Sequence, residues 1–168
     1  MYKRQFLDSA QLYNITKEFK GNIIDFGSGA GFPGLILAMM GQQNIHLVES
    51  DSKKCTFLRE VSMLCEIHVK VHNSRIENLE YFDVELITAR AVAPLNKLID
   101  YAESFVNKSS TKNKPLKMLF LKGKSYRQEI SNLIQKKDFS IEEYQSITDN
   151  FGKILYINKR NMLNNKNE

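Results

Sequence analysis

The sequence predicts an α/β fold: a doubly wound, Rossmann-like sheet of seven strands, mostly parallel, ending in an antiparallel hairpin. Three observations predict it. Strand-length apolar runs alternate with helical patterns along most of the chain, which calls for parallel strands joined by crossover helices. The first run, Ile23-Ile24-Asp25-Phe26, enters a loop carrying Gly27, Gly29, Gly31 and Gly34, and a helix starts near Pro33. That strand, turn and helix N-terminus is where such sheets hold nucleotide-like ligands. Finally, Phe139 to Ile147 and Lys153 to Asn158 flank the turn-forming stretch 148–152, as in a hairpin.

Taken in order, Phe6, Leu7, Ala10, Tyr13 and the residues to Phe19 recur at helical spacing, predicting one amphipathic N-terminal helix within residues 1–20. Strand one is Asn22 to Phe26. The next helix runs from Pro33 to Met40 and is closed by Gly41, and strand two is Ile45 to Glu49. Ser50-Asp51-Ser52 supplies cap chemistry for a helix whose Phe57, Leu58, Val61, Leu64 and Cys65 form an apolar stripe. Strand three is expected at Ile67 to Val71 and strand four at Phe82 to Thr88. A helix follows from Pro94 to Val106, then a polar loop to Pro115, strand five at Leu116 to Leu121, a helix from Ser125 to Gln135, and the hairpin. Residues 161–168 are expected to be a flexible tail. The 168 residues suit one domain with a sizeable core.

Composition excludes several classes. No apolar run is long enough to span a bilayer, and no apolar segment of a secretory leader follows the basic start Lys3-Arg4, so a cytoplasmic protein without membrane partners is expected. Cys55 and Cys65 lie ten apart with no metal or redox spacing, so no metal site is expected. The net charge of +5 gathers in Lys108, Lys112, Lys114, Lys117, Lys122, Lys124 and Arg127, a run with no acidic residue among them. It suits a rim facing a polyanion, or a solvated lysine-rich loop.

Gly29-x-Gly31-x-x-Gly34 matches the dinucleotide fingerprint, and Glu49 lies about 20 residues beyond Gly29, so a nicotinamide cofactor is one reading. Against it, Asp25 is expected at the mouth of the loop, where a carboxylate repels a pyrophosphate. S-adenosyl-L-methionine carries no phosphate, bears an ammonium and a sulfonium, and offers ribose hydroxyls to a carboxylate such as Glu49. Seven strands with a terminal hairpin are also the pattern of methyltransferases using that cofactor, rather than of six-stranded dehydrogenases.

Beyond the loop, the chain resembles the glucose-inhibited division protein B family of bacterial methyltransferases. The resemblance rests on Phe6-Leu7-Asp8-Ser9, on residues 25–34, on Glu49-Ser50 with Lys53-Lys54 and Phe57-Leu58-Arg59, on Ser74-Arg75-Ile76-Glu77, on Arg90-Ala91 and on Leu121-Lys122-Gly123. It implies methylation of guanine N7 in 16S ribosomal RNA, free or in the small ribosomal subunit; a monomer is expected. By position it implies that Gly27 and Phe32 meet the cofactor, that Ile76 and Glu77 lie at its adenine end, and that Arg90 lines the same pocket; Gly29 is expected beside the cofactor from its place in the glycine loop. Two departures stand out. Family members usually carry several tens of residues of helix ahead of the first motif, so the N-terminal helix is expected to be truncated, and Gln5 stands where a histidine is usual.

Guanine N7 presents an in-plane lone pair, so its methylation needs orientation rather than a general base. Arg90 is expected to position substrate or cofactor at a distance from N7. The slot after strand four, Thr88-Ala89-Arg90-Ala91, lacks the Pro-Pro-aromatic pattern of enzymes acting on exocyclic amines. His46, His68 and His72 are expected in strands or on the surface. A methyltransferase of the same fold on another substrate, and an inactive RNA-binding remnant, are the competing readings.

Overall fold

A computed structural model of the protein describes residues 2–108, 116–134 and 139–159. In chain order the elements are α1 (Tyr2–Gln11), α2 (Tyr13–Thr16), β1 (Ile23–Phe26), α3 (Gly34–Met39), β2 (Ile45–Glu49), α4 (Ser52–Leu64) and β3 (Val69–Asn73). After a 3-10 turn (Ile76–Asn78) come β4 (Leu86–Arg90), α5 (Leu95–Asn107), β5 (Leu116–Lys122), α6 (Tyr126–Ile134), β6 (Phe139–Gln145) and β7 (Lys153–Lys159). The seven strands form one sheet in the order β3-β2-β1-β4-β5-β7-β6. The first five are mutually parallel, and β7 runs antiparallel to both β5 and β6.

The alternation of each strand builds two cores. Ile24 and Phe26 of β1, with Ile87, Ala89, Met118 and Phe120, pack under α5 and α6. Ile23 of β1, with Ile45, Leu47, Leu86 and Leu119, packs on the other face with Leu35 and Leu37 of α3 and Leu58 of α4. Burying such side chains contributes roughly 1.5–3 kcal/mol each before chain entropy is subtracted. As the sequence predicts, Asp51 caps α4: its carboxylate accepts the N–H groups of Lys53 (2.8 Å) and Lys54 (3.2 Å).

Four expectations are corrected. The N-terminal helix is two pieces, with Leu12 buried at the break, and Leu12 N–H donates to Ser9 O. Strand three lies two residues later than predicted, because Ile67 N–H still donates to Ser62 O at the end of α4. Strand four starts at Leu86 rather than Phe82. Phe82 is withdrawn from strand pairing because its ring stacks on His46 (4.2 Å) and His72 (5.3 Å) and meets Phe105 edge-on. Burial lowers the pKa of His46 to about 4, with the His72 and Lys70 charges acting in the same direction, so this pair is neutral packing at physiological pH.

The fourth correction concerns Asp25. It is fully buried, on the face of β1 turned to α3, rather than at the mouth of the glycine loop. Its carboxylate accepts from the Thr88 hydroxyl (2.9 Å) and from Gly34 N–H (3.2 Å), joining β1, β4 and the start of α3. The pyrophosphate-repulsion argument therefore does not apply to Asp25. Carboxylates do face the loop's cleft, but they belong to other residues.

Candidate active site

The order of the sheet reverses between β1 and β4, and ligands of such sheets lie beyond the strand ends at that point. A cleft of about 450 Å³ opens there. Gly27 and Gly29 line it from the loop after β1, Glu49 from the end of β2, Ile76 and Glu77 from the 3-10 turn after β3, and Arg90 from the last position of β4. Six of the seven residues expected at the site thus converge although they are spread over 64 positions.

The loop is shaped by its glycines. Gly27 has φ +64, and a Cβ there would stand 2.5 Å from Cγ2 of Val92. Gly29 has φ +56, and a Cβ there would meet nothing nearer than the Gly27 carbonyl oxygen at 3.8 Å, so a ligand can approach its backbone closely. Glu49 fixes this geometry: Oε2 accepts Gly29 N–H (3.0 Å) and Oε1 accepts Asp51 N–H (2.9 Å). Each oxygen keeps a further lone pair for hydroxyl groups in the cleft. Across the cleft, Glu77 accepts from the Tyr101 hydroxyl (2.9 Å). Its carboxyl is held below its usual range by its own backbone N–H, then by Tyr101, Arg75 and Lys97.

Phe32 is not among the residues lining the cleft. Its ring meets Phe6 of α1 edge-on at 5.0 Å, and the Arg90 guanidinium lies over it at 5.8 Å from the centroid. Phe32 therefore supports Arg90 from behind. Partial burial lowers the Arg90 pKa, Asp8 opposes that shift and Arg4 adds to it; the guanidinium stays charged. Asp8 in turn accepts from the Ser146 (2.8 Å) and Thr148 (2.7 Å) hydroxyls, so α1 ties Arg90's surroundings to the turn between β6 and β7.

Lys97 and Tyr101 also line the cleft and were not read from the sequence. The available signal was their spacing of four on α5, which puts the two on one face of the helix, away from the buried stripe of Leu95, Leu98, Ile99, Ala102 and Phe105.

The basic run does not form one rim. Lys117, the second residue of β5, lies at the opposite edge of the sheet, 3.9 Å from Glu85 and over the Phe19 ring. Lys122 is buried, donating to Glu129 (2.7 Å) and to Ala93 O (3.1 Å), so it braces the loop after β4 rather than reaching outward. Lys108 donates to the carbonyls of Glu77 and Leu79 and holds the 3-10 turn. Lys124 and Arg127 are exposed beside the cleft's edge of the sheet, and Lys112 and Lys114 lie outside the described residues.

Fold and site together define an S-adenosylmethionine-dependent methyltransferase. The fold is similar to magnesium protoporphyrin IX methyltransferase from Synechocystis (TM-score 0.69, 13% identity, 94% of this chain and 80% of that one) and to a SAM-dependent methyltransferase from Aquifex aeolicus (TM-score 0.69, 14% identity, 94% and 93%). The sequence narrows the class. Residues 1–158 match the family described as GidB, rRNA small subunit methyltransferase G. Proteins named ribosomal RNA small subunit methyltransferase G from Paramagnetospirillum magneticum and Rickettsia prowazekii are 40% and 38% identical, each over 94% of this chain and over 74% and 78% of their own lengths. The chain belongs to the GidB family.

Proposed function

We propose that this protein transfers a methyl group from S-adenosylmethionine to N7 of a guanine in 16S ribosomal RNA, acting in the cytoplasm. The observation that carries the reading is the makeup of the cleft: glycine backbone, the carboxylates of Glu49 and Glu77 and the guanidinium groups of Arg75 and Arg90 converge, and among the described residues no histidine or cysteine lines it. A nucleophile that already holds a free lone pair needs no proton removed, which suits guanine N7.

The cleft fits the cofactor. The open backbone at Gly29 admits close approach, Glu49 and Glu77 offer acceptors to hydroxyl and amino groups, and Ile76 supplies an apolar edge for a purine. When bound, the cofactor supplies an electrophilic methyl group on a sulfonium. The chain's own residues hold and orient. Arg90, stacked on Phe32 and flanked by Asp8, presents a fixed planar donor set to guanine O6 or a phosphate, and contributes by alignment. Lys124 and Arg127 offer exposed cations to RNA phosphates.

Calorimetric titration with S-adenosylhomocysteine should give saturable binding, with none for NAD. Incubation with small subunits lacking the modification should then yield 7-methylguanosine in digested 16S RNA. Methyl transfer to another base atom, or none to the subunit, would refute the assignment.

A further inference from the structure

The turn between β6 and β7 lies on the same edge of the sheet as the cleft, because β7 runs antiparallel to β5 and pairs Lys153 with Lys122. It is tightly built. Ser146 N–H donates to Gly152 O, Gly152 N–H to Asp149 O, and Phe151 N–H to Asp149 Oδ1 (2.9 Å); the Ser146 hydroxyl oxygen accepts from Thr148 and Asp149 N–H. Arg4 of α1 adds an ion pair to Asp149 (3.0 Å), and Gln11 accepts from Ile147 N–H.

Yet this rigid turn holds Ile147 and Phe151 out in water, at 64% and 61% exposure. Exposing a large aromatic ring on a flexible segment is ordinary; holding it in a fixed place is preorganisation for a contact. The ring's neighbours are cationic: Lys124 Nζ lies 4.9 Å from the Phe151 centroid, and Lys153 and Arg127 lie about the Tyr126 ring close by in sequence and sheet order. An exposed ring beside fixed cations matches a base with its phosphates, because every base has a π-face and every linkage a negative charge.

We propose that Phe151 stacks on an unpaired base of the RNA substrate while Lys124 meets the adjoining phosphate, so that the turn grips single-stranded RNA next to the cleft. The inference rests on the functional reading above for its substrate class, and goes beyond it in naming the contact. The partner is RNA with at least one unstacked base, since a paired helix shields its base faces.

The test uses the full chain with Phe151→Ala, Phe151→Trp and Lys124→Gln, measuring fluorescence anisotropy on protein-free 16S RNA fragments and methyl transfer to small subunits. Phe151→Ala should weaken RNA binding roughly tenfold, within the range for losing one base–aromatic stack, and Phe151→Trp should restore it. Lys124→Gln should lower the slope of log affinity against log salt by about one. S-adenosylhomocysteine affinity and thermal unfolding should not move in any variant, since these side chains are outside the cleft lining and the core. RNA affinity unchanged by Phe151→Ala while methyl transfer proceeds would overturn the contact and leave the enzyme assignment standing. A Phe151-dependent affinity without methyl transfer would do the reverse. An effect seen on whole subunits and absent on protein-free RNA would give the turn to a ribosomal protein and overturn the proposal.

Discussion

Arg90 and Asp25 are two charged residues near the same loop with opposite fates. Arg90 keeps an open side toward the cleft and is held by an aromatic ring and a nearby carboxylate. Arg90→Ala should lower methyl transfer on the order of a hundredfold, as expected when a positioning group is lost, and Arg90→Lys should not restore it, because a point charge neither stacks on Phe32 nor forks. Wild-type turnover in Arg90→Ala, measured under saturating cofactor, would remove it from the mechanism. Asp25 is sealed in, and burial raises its carboxyl pKa to about 6 against the opposing hydrogen bonds from Thr88, Ser28 and Gly34. Between its unfolded value of 3.8 and about 6 the native state binds a proton that the unfolded state has released. Stability from this group is therefore present below pH 4 and lost as pH rises through 6. In Asp25→Asn that dependence should vanish. The stability difference between wild type and variant should change by about 1 kcal/mol between pH 5 and pH 7, read by denaturant unfolding at each pH; a constant difference would mean that Asp25 is ionised throughout.

At the scale of elements, α1 is the piece whose role depends on others. It contributes Phe6 to the Phe32–Arg90 stack, Asp8 to two hydroxyls of the β6–β7 turn, and Arg4 and Gln11 to the same turn. Asp8→Ala leaves the Ser146 and Thr148 hydroxyls without their acceptor, a loss of about 1–3 kcal/mol felt locally. Amide hydrogen exchange should speed up across α1 and residues 146–152 while the amides of β1, β4 and β5 keep their protection. Unchanged exchange in α1 would show that Phe6 and Arg4 hold the helix by themselves.

For the molecule as a whole, the parts of the fold governed by strong local chemistry were legible. The glycine loop, the Asp51 cap and the apolar runs of β1, β2, β5 and β7 dictate their own structure, and six of the seven residues expected at the site meet there because the sheet order brings their strand ends together. What escaped was decided across the fold. Phe82 has the pattern of a strand residue, and only the His46 and His72 rings that it stacks on withdraw it from pairing. Asp25 precedes the loop in sequence, but strand alternation turns it to the interior. Lys117 and Lys122 belong to one basic run, yet a seven-residue strand carries them to opposite edges of the sheet, and the half-buried Glu129 claims Lys122. Lys97 and Tyr101 reach the cleft from a helix that the sequence marked only by its bounds, Pro94 to Val106.

The contacts from Asp8 to Ser146 and Thr148 span 138 and 140 positions. While the chain is being synthesised, the first helix therefore has no turn to dock on until almost all of the described residues have left the exit tunnel. Closing a loop of that length falls late in folding. The cofactor cleft, whose strands all precede residue 91, can organise well before the edge beside it does. A growing chain thus passes through a stage in which it is built to hold its cofactor but lacks the completed rim, and it gains that rim only once residues 146–152 have emerged.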